Sequence, residues 1–135
     1  MWRMLFTSKP VSLDFGLLLF RLVVGGLMMV LHGWPKLANF GERMGRFSDP
    51  LGIGSTASLA GAVTAEFFCS LLLMAGLFTR AALIPLIFTF VIICFVVHGD
   101  DPAKEKENAL LFLVSYVVLF FTGAGKYSLD ELRKR

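Results

Sequence analysis

Two charged residues sit in segments that are otherwise apolar. Arg21 stands in Leu18-Leu19-Phe20-Arg21-Leu22-Val23, and Glu66 in Thr64-Ala65-Glu66-Phe67-Phe68. A guanidinium presents a rigid fork of donors that a carboxylate can accept side by side, so the two could form a buried ion pair or a proton-handling centre. Four more ionisable residues border apolar runs: His32, Lys36, His98 and Glu107. Imidazole changes charge near neutral pH, and two neighbouring carboxylates push one pKa upward. This set could pass protons or grip a polar head group. The plainer reading is a structural Arg21–Glu66 pair that fixes helix register, with His32 and His98 as interfacial hydrogen-bonders. Two histidines without a third ligand make a weak metal signal. There is no nucleotide loop, no Cys-x-x-Cys and no serine–histidine nucleophile motif.

The elements that must position these residues are written in the hydropathy. Of 135 residues, 56% are hydrophobic and 17% charged, too apolar for a soluble domain of this size. The apolar residues gather in blocks 12–34, 57–79, 81–98 and 106–122. Each is about long enough for a hydrocarbon core of roughly 30 Å, the last two near the short limit. Lipid offers the backbone no hydrogen-bond partner, so helices are required. The expected fold is an all-α membrane protein: a four-transmembrane-helix bundle with a short interfacial helix between helices 1 and 2. The spans are expected at 12–34, 57–79, 81–98 and 102–122, and a basic tail at 123–135.

Smaller signals fill in the layout. Leu37, Phe40, Met44, Phe47 and Leu51 recur at helical spacing and predict the interfacial helix, ending near Asp49-Pro50. Asp101-Pro102 reads as cap and first residue of the fourth helix. The hairpin at Thr79-Arg80 is so short that helices 2 and 3 must be antiparallel neighbours. Ala57, Gly61, Ala65 and Cys69 form a strip of small residues against which another helix can pack. Cys69 and Cys94 lie at different depths and read as core residues, not a disulfide. Leu31-His32-Gly33 and Val97-His98-Gly99 close two spans alike, a weak sign of duplication.

The formal charge is +3, but the basic residues sit at helix ends and form no single patch, so nucleic acid is set aside as a partner. With both termini inside, seven basic residues face the cytoplasm and five face out, which favours cytoplasmic termini in a multi-pass protein of the plasma or inner cell membrane. The first block runs into His32-Gly33-Trp34-Pro35-Lys36 without a small-x-small site and reads as a retained span. Counting about 1.5 Å per residue puts Arg21 roughly 14 Å and Glu66 roughly 20 Å above the inner end. Either charge alone in lipid would cost about 2.5–3.5 kcal/mol or more. Arg21 is therefore expected to reach Glu66, Glu107 or both, beneath His32, His98 and Lys36, as a column that opens outward.

Several pieces in order resemble one family. They are Leu19-Phe20-Arg21-Leu22, His32-Gly33-Trp34-Pro35-Lys36, Ala65-Glu66, Gly76-Leu77-Phe78-Thr79-Arg80, His98, Glu107-Asn108-Ala109-Leu110 and Gly123-Ala124-Gly125-Lys126-Tyr127-Ser128-Leu129-Asp130. From about Leu17 to Asp130 the chain resembles the DoxX family of small four-helix membrane proteins. That resemblance implies a subunit of a quinone-linked oxidoreductase, such as thiosulfate:quinone oxidoreductase, or of another membrane redox complex. It implies a ligand site of Arg21, His32, Lys36, Glu66, His98 and Glu107, with Glu66 and Glu107 exchanging protons. Quinone is then the leading cofactor, with haem on His32 and His98 ranked below it. The partners are the lipid bilayer, an amphipathic small molecule, and a soluble redox partner or a second copy of the chain. The competing readings are a non-enzymatic small-molecule carrier and a membrane scaffold for a partner enzyme.

Overall fold

The computed structural model describes residues 1–135. Its regular elements are all helices, and it has no strand. Three helices are long and apolar enough to cross a membrane: α1 (Leu13–Ala38), α2 (Ser55–Ala75) and α3 (Thr79–Val97). A fourth, α4 (Glu107–Thr122), has 16 residues, and α5 (Leu129–Arg133) is a short turn of helix in the tail. Only 24 of 135 residues are buried, while Leu19, Phe88, Phe95, Leu111 and Phe121 stand exposed on the helices. An apolar exterior on this scale belongs against lipid tails.

The chain runs up and down. Ser12 starts α1 by accepting the Phe15 N–H at 3.3 Å, a conventional N-cap. At the other end of the hairpin, α2 stops at Gly76, which has φ +68°. There Leu77 N–H returns to Leu72 C=O at 3.0 Å, the bond that closes a left-handed helix terminus. The core is one contiguous cluster drawn from all four helices, with Met28, Leu73, Leu83, Leu86, Tyr116 and Leu119 fully enclosed.

Each of the three long helices contains one wide, π-helical stretch: Met28–Gly33, Thr64–Cys69 and Ile93–Val97. Such turns insert a residue and frequently mark functional positions. The first two meet directly. A β-carbon on Gly33 would lie 2.7 Å from the Glu66 carbonyl oxygen, so only glycine lets α1 and α2 touch backbone to backbone there. Beyond its wide turn α1 continues through Pro35, which stands in the first turn of a renewed α segment, where no N–H is needed.

The stretch from 37 to 51 is divided rather than continuous. Leu37 belongs to α1, Phe40–Arg43 makes one helical turn, and Phe47 and Leu51 fold over a cavity. The small-residue strip is divided as well: Ala65 and Cys69 are buried in the core, whereas Ala57 and Gly61 wall that same cavity. Asp101 does not cap the fourth helix. Its carboxylate meets His98 Nδ1 at 2.7 Å, and the chain re-enters helix through a 3-10 turn, Ala103–Lys106. Both cysteines are buried free thiols.

The tail is folded back onto the bundle. Asp130 accepts the Phe78 N–H at 2.7 Å, the Thr79 N–H at 3.0 Å and the Thr79 hydroxyl at 2.6 Å. It thereby caps α3, which has no cap of its own. The Asp130 N–H donates to Gly76 C=O at 2.8 Å, and the Lys126 N–H donates to Asp14 at 2.9 Å. Both termini therefore lie at one end of the bundle, called the terminal end below.

Candidate functional site

Arg21 is 1% exposed and pairs with no carboxylate. Its Nε donates to Leu73 C=O at 3.0 Å, one Nη to Ala124 C=O, and the other Nη to Met74 C=O at 3.2 Å and Tyr127 C=O at 3.0 Å. The expected contact of Arg21 with Glu66 or Glu107 is thus replaced by a clamp on four backbone carbonyls. The reason lies in helix geometry. Side chains tilt toward the N-terminus of their own helix, and α1 begins at the terminal end, so Arg21 is aimed away from Glu66. What it meets are two of the last carbonyls of α2, Leu73 and Met74, which carry the partial negative charge of a helix C-terminus, and two carbonyls of the tail.

The same rule brings Glu66 to Lys36. Helix α2 begins at the far end, so Glu66 tilts that way, while Lys36 on α1 tilts back toward it. Their Nζ–Oε2 distance is 2.6 Å, with the side chains 16% and 3% exposed respectively. A desolvated pair at this distance holds more firmly than a surface one. Glu66 Oε1 accepts no hydrogen bond from the protein, and the residue lines a cavity of about 520 Å³ between α2 and α3. Pro85, Phe88, Ile92 and Ile93 form one wall, Ala57, Gly61 and Ala62 another, and Phe47, Leu51 and Ile53 the roof. Volume and composition are those of a small-molecule site: apolar walls with a few fixed polar groups.

The roof is itself held by a carboxylate. Asp49 accepts the Ile53 N–H at 3.0 Å, the Gly54 N–H at 2.8 Å and the Ser58 hydroxyl at 2.8 Å. The Ser58 bond is the chief cause of a carboxyl pKa below its ordinary value. Asp130 is also lowered. Burial pushes it up, but the Thr79 and Phe78 donors and the Arg133 charge outweigh that.

The six residues singled out from the sequence therefore separate. Lys36, Glu66 and His98 share the cavity. His32 lies outside its lining, with its ring edge-on to Phe112 at 5.9 Å. Glu107 is exposed at the start of α4 and is not the near-buried partner of Glu66 that its place beside an apolar run suggests. Arg21 sits toward the opposite end of the bundle. No three His, Cys, Asp or Glu side chains converge as a metal site. Sequence reasoning missed Asp49 and Asp130. Asp49 follows Ser48 and precedes Pro50, an ordinary turn signal. Ser128-Leu129-Asp130-Glu131 is a capping-box pattern, and Ser128 does accept the Glu131 N–H at 3.3 Å.

A second, larger cavity of about 760 Å³ lies at the terminal end, bordered by Asp14, Arg80, Lys126, Asp130 and Arg133. Asp14 and Asp130 are already spent on tail and hairpin N–H groups, and Glu131 on Lys134, so the far-end cavity is the better candidate site.

A family model described as DoxX matches residues 16–99, a span that includes Arg21, His32, Lys36, Glu66 and His98 and leaves out Glu107. A protein of Haemophilus influenzae, named only as an uncharacterized protein, is 32% identical over 125 residues, covering 84% of this chain and 88% of its own length. No solved structure matches the chain.

Proposed function

This chain belongs to the DoxX family, and from that premise we propose that it is a membrane subunit of a quinone-linked redox assembly. In this reading the cavity walled by Lys36, Glu66 and His98 receives the head group of a quinone-like amphipath. One observation carries it: a buried Lys36–Glu66 pair, with Glu66 Oε1 free, at the edge of an apolar cavity of about 520 Å³. A quinone has a flat apolar ring, carbonyl acceptors and a lipid-soluble tail, and the donor set fits it. Lys36 would donate to one carbonyl oxygen. Glu66 would accept from the hydroxyl of the reduced form and exchange its proton. His98, fixed by Asp101, would border the entrance. When bound, such a group supplies reversible two-electron, two-proton chemistry. Arg21 acts in this reading by holding α1 against α2.

We extend the proposal to the topology. The 3-10 turn Ala103–Lys106 and α4 together reach about 30 Å at 2.0 and 1.5 Å rise per residue, enough for a fourth span. The turn at Phe40–Arg43 and its flanks would lie in the interface. Both termini would face the cytoplasm from the plasma or inner membrane. The surplus of basic residues on that side and the junction of Lys126 with Asp14 support a common side for the two ends.

The test is equilibrium binding of decylubiquinone and menadione to the purified full chain in nanodiscs. Saturable binding is expected, weakened about tenfold in Glu66→Gln and in Lys36→Met, roughly the worth of one charge-assisted hydrogen bond. Absence of saturable binding by the wild type, or unchanged binding by both variants, overturns the proposal.

A further inference from the structure

Two side-chain oxygens in the whole protein are fully buried without a hydrogen-bond partner: Ser70 Oγ and Tyr116 Oη. Both residues are wholly enclosed. Buried hydroxyls in folded proteins are nearly always satisfied, by protein or by ordered water. Leaving one bare costs about 1–3 kcal/mol. Two such orphans in one core therefore point to something that the protein atoms alone do not provide.

Their surroundings favour water over an empty space. Ser70 lies one turn beyond Glu66 on the same helix, directly after the wide turn Thr64–Cys69. Wide turns disturb the hydrogen-bond ladder, and water commonly inserts where it is disturbed. Tyr116 belongs to the same core cluster as Ala65, the residue next to Glu66, and Cys69. Its ring is held by Phe90 at 5.7 Å and Phe112 at 6.1 Å. The aromatic cage fixes the ring but supplies no acceptor, so the hydroxyl is positioned and not bonded.

We infer that Ser70 Oγ and Tyr116 Oη hold ordered water inside the bundle, and that this water is the inward continuation of the Glu66 site. Glu66 then stands between two polar environments. One is the cavity at the far end, which it faces with Lys36. The other is an internal wet pocket that stabilises its charge from behind. Tyr116 and Ser70 are positioning residues in this arrangement, acting on Glu66 through water. The inference rests on Glu66 as the centre of the site but not on the identity of the ligand, so it survives or fails separately from quinone binding.

Radiolytic hydroxyl-radical footprinting of the full wild-type chain in nanodiscs tests it. Radicals formed on bound water oxidise side chains beside that water even when bulk solvent cannot reach them. Tyr116 is expected to be oxidised several-fold faster than its neighbour Phe90, although Phe90 is the slightly more exposed of the two. A rate no greater than that of Phe90 overturns the inference, and this measurement needs no variant. Thermal unfolding gives a second, sign-based readout. Removing a hydroxyl that binds water destabilises, whereas removing one that is truly bare is neutral or stabilising. Tyr116→Phe and Ser70→Ala should both lower the melting temperature; an unchanged or raised melting temperature in either overturns the inference. Quinone titration of the same two variants keeps the outcomes distinct, since loss of the internal water need not abolish ligand binding at the cavity.

Discussion

Lys36 Nζ stands 2.6 Å from Glu66 Oε2, on helices whose backbones touch at Gly33. The pair thus joins two elements that have no room to adjust. Lys36→Met leaves a carboxylate buried without its partner, which typically costs about 3–5 kcal/mol. The double variant Lys36→Met/Glu66→Gln should recover a large part of that loss. Chemical unfolding of the single and double variants measures the coupling, and equal stability of Lys36→Met and the wild type would refute it.

Arg21 holds four carbonyls, two on α2 and two in the tail. Hydrogen bonds from charged donors are worth about 1.5–3 kcal/mol each. Arg21→Ala should therefore destabilise strongly and free the tail, seen as protease cleavage beyond Gly123. Arg21→Lys keeps the charge but not the fork, so it should rescue only partly.

Gly76 sits at φ +68°, and a β-carbon there would lie 2.5 Å from Ser128 Cβ and 3.1 Å from the Arg21 guanidinium carbon. The backbone alone disfavours any other residue by about 1 kcal/mol, and the steric clash adds to it. Gly76→Ala should lower the melting temperature and loosen the tail. Gly41→Ala, where nothing lies within 4 Å, should be close to neutral.

The tail should also respond to acid. The Asp130 carboxyl is depressed below its ordinary 3.8 because Thr79, Phe78 and Arg133 outweigh burial. A depressed carboxyl contributes stability above its unfolded pKa and loses it as pH falls through the folded one. A spin label at exposed residue 132 should stay ordered at neutral pH and gain mobility only below about pH 3.8. Asp130→Asn should be mobile across the whole range. Asp49 is depressed in the same sense, so the cavity roof should loosen in that window too.

Much of the helical layout could be read from hydropathy, because length and apolar character are local properties of the chain. The Thr79-Arg80 hairpin was legible for the same reason. The partners of Arg21 were not. Backbone carbonyls have no signature in sequence, so a buried cation suggests a buried acid even where helix ends provide the acceptors. Counting depth by Cα position put Arg21 near Glu66 but ignored the tilt of each side chain toward its helix N-terminus. That tilt separates Arg21 from Glu66 and brings Lys36 down to Glu66. The wide turns were invisible as well. Each adds a residue that rotates the following face, and Lys36 lines the cavity whereas the His32 ring, four residues earlier, packs on Phe112 and meets Lys36 only through its carbonyl oxygen, 3.5 Å from Nζ. Glu107 borders an apolar run in sequence, yet the 3-10 turn before it leaves it in the open.

The clamp on Arg21 also has a consequence for the order of synthesis. Two of its acceptors, Ala124 and Tyr127, lie more than a hundred residues downstream. A nascent chain that has already delivered its first helix to the membrane carries a cation whose nest is half unwritten. Until residue 127 leaves the ribosome, that charge must be sheltered by the insertion machinery, by lipid phosphates or by water. Completing the tail is therefore the step that supplies the last two acceptors of the clamp on the first helix.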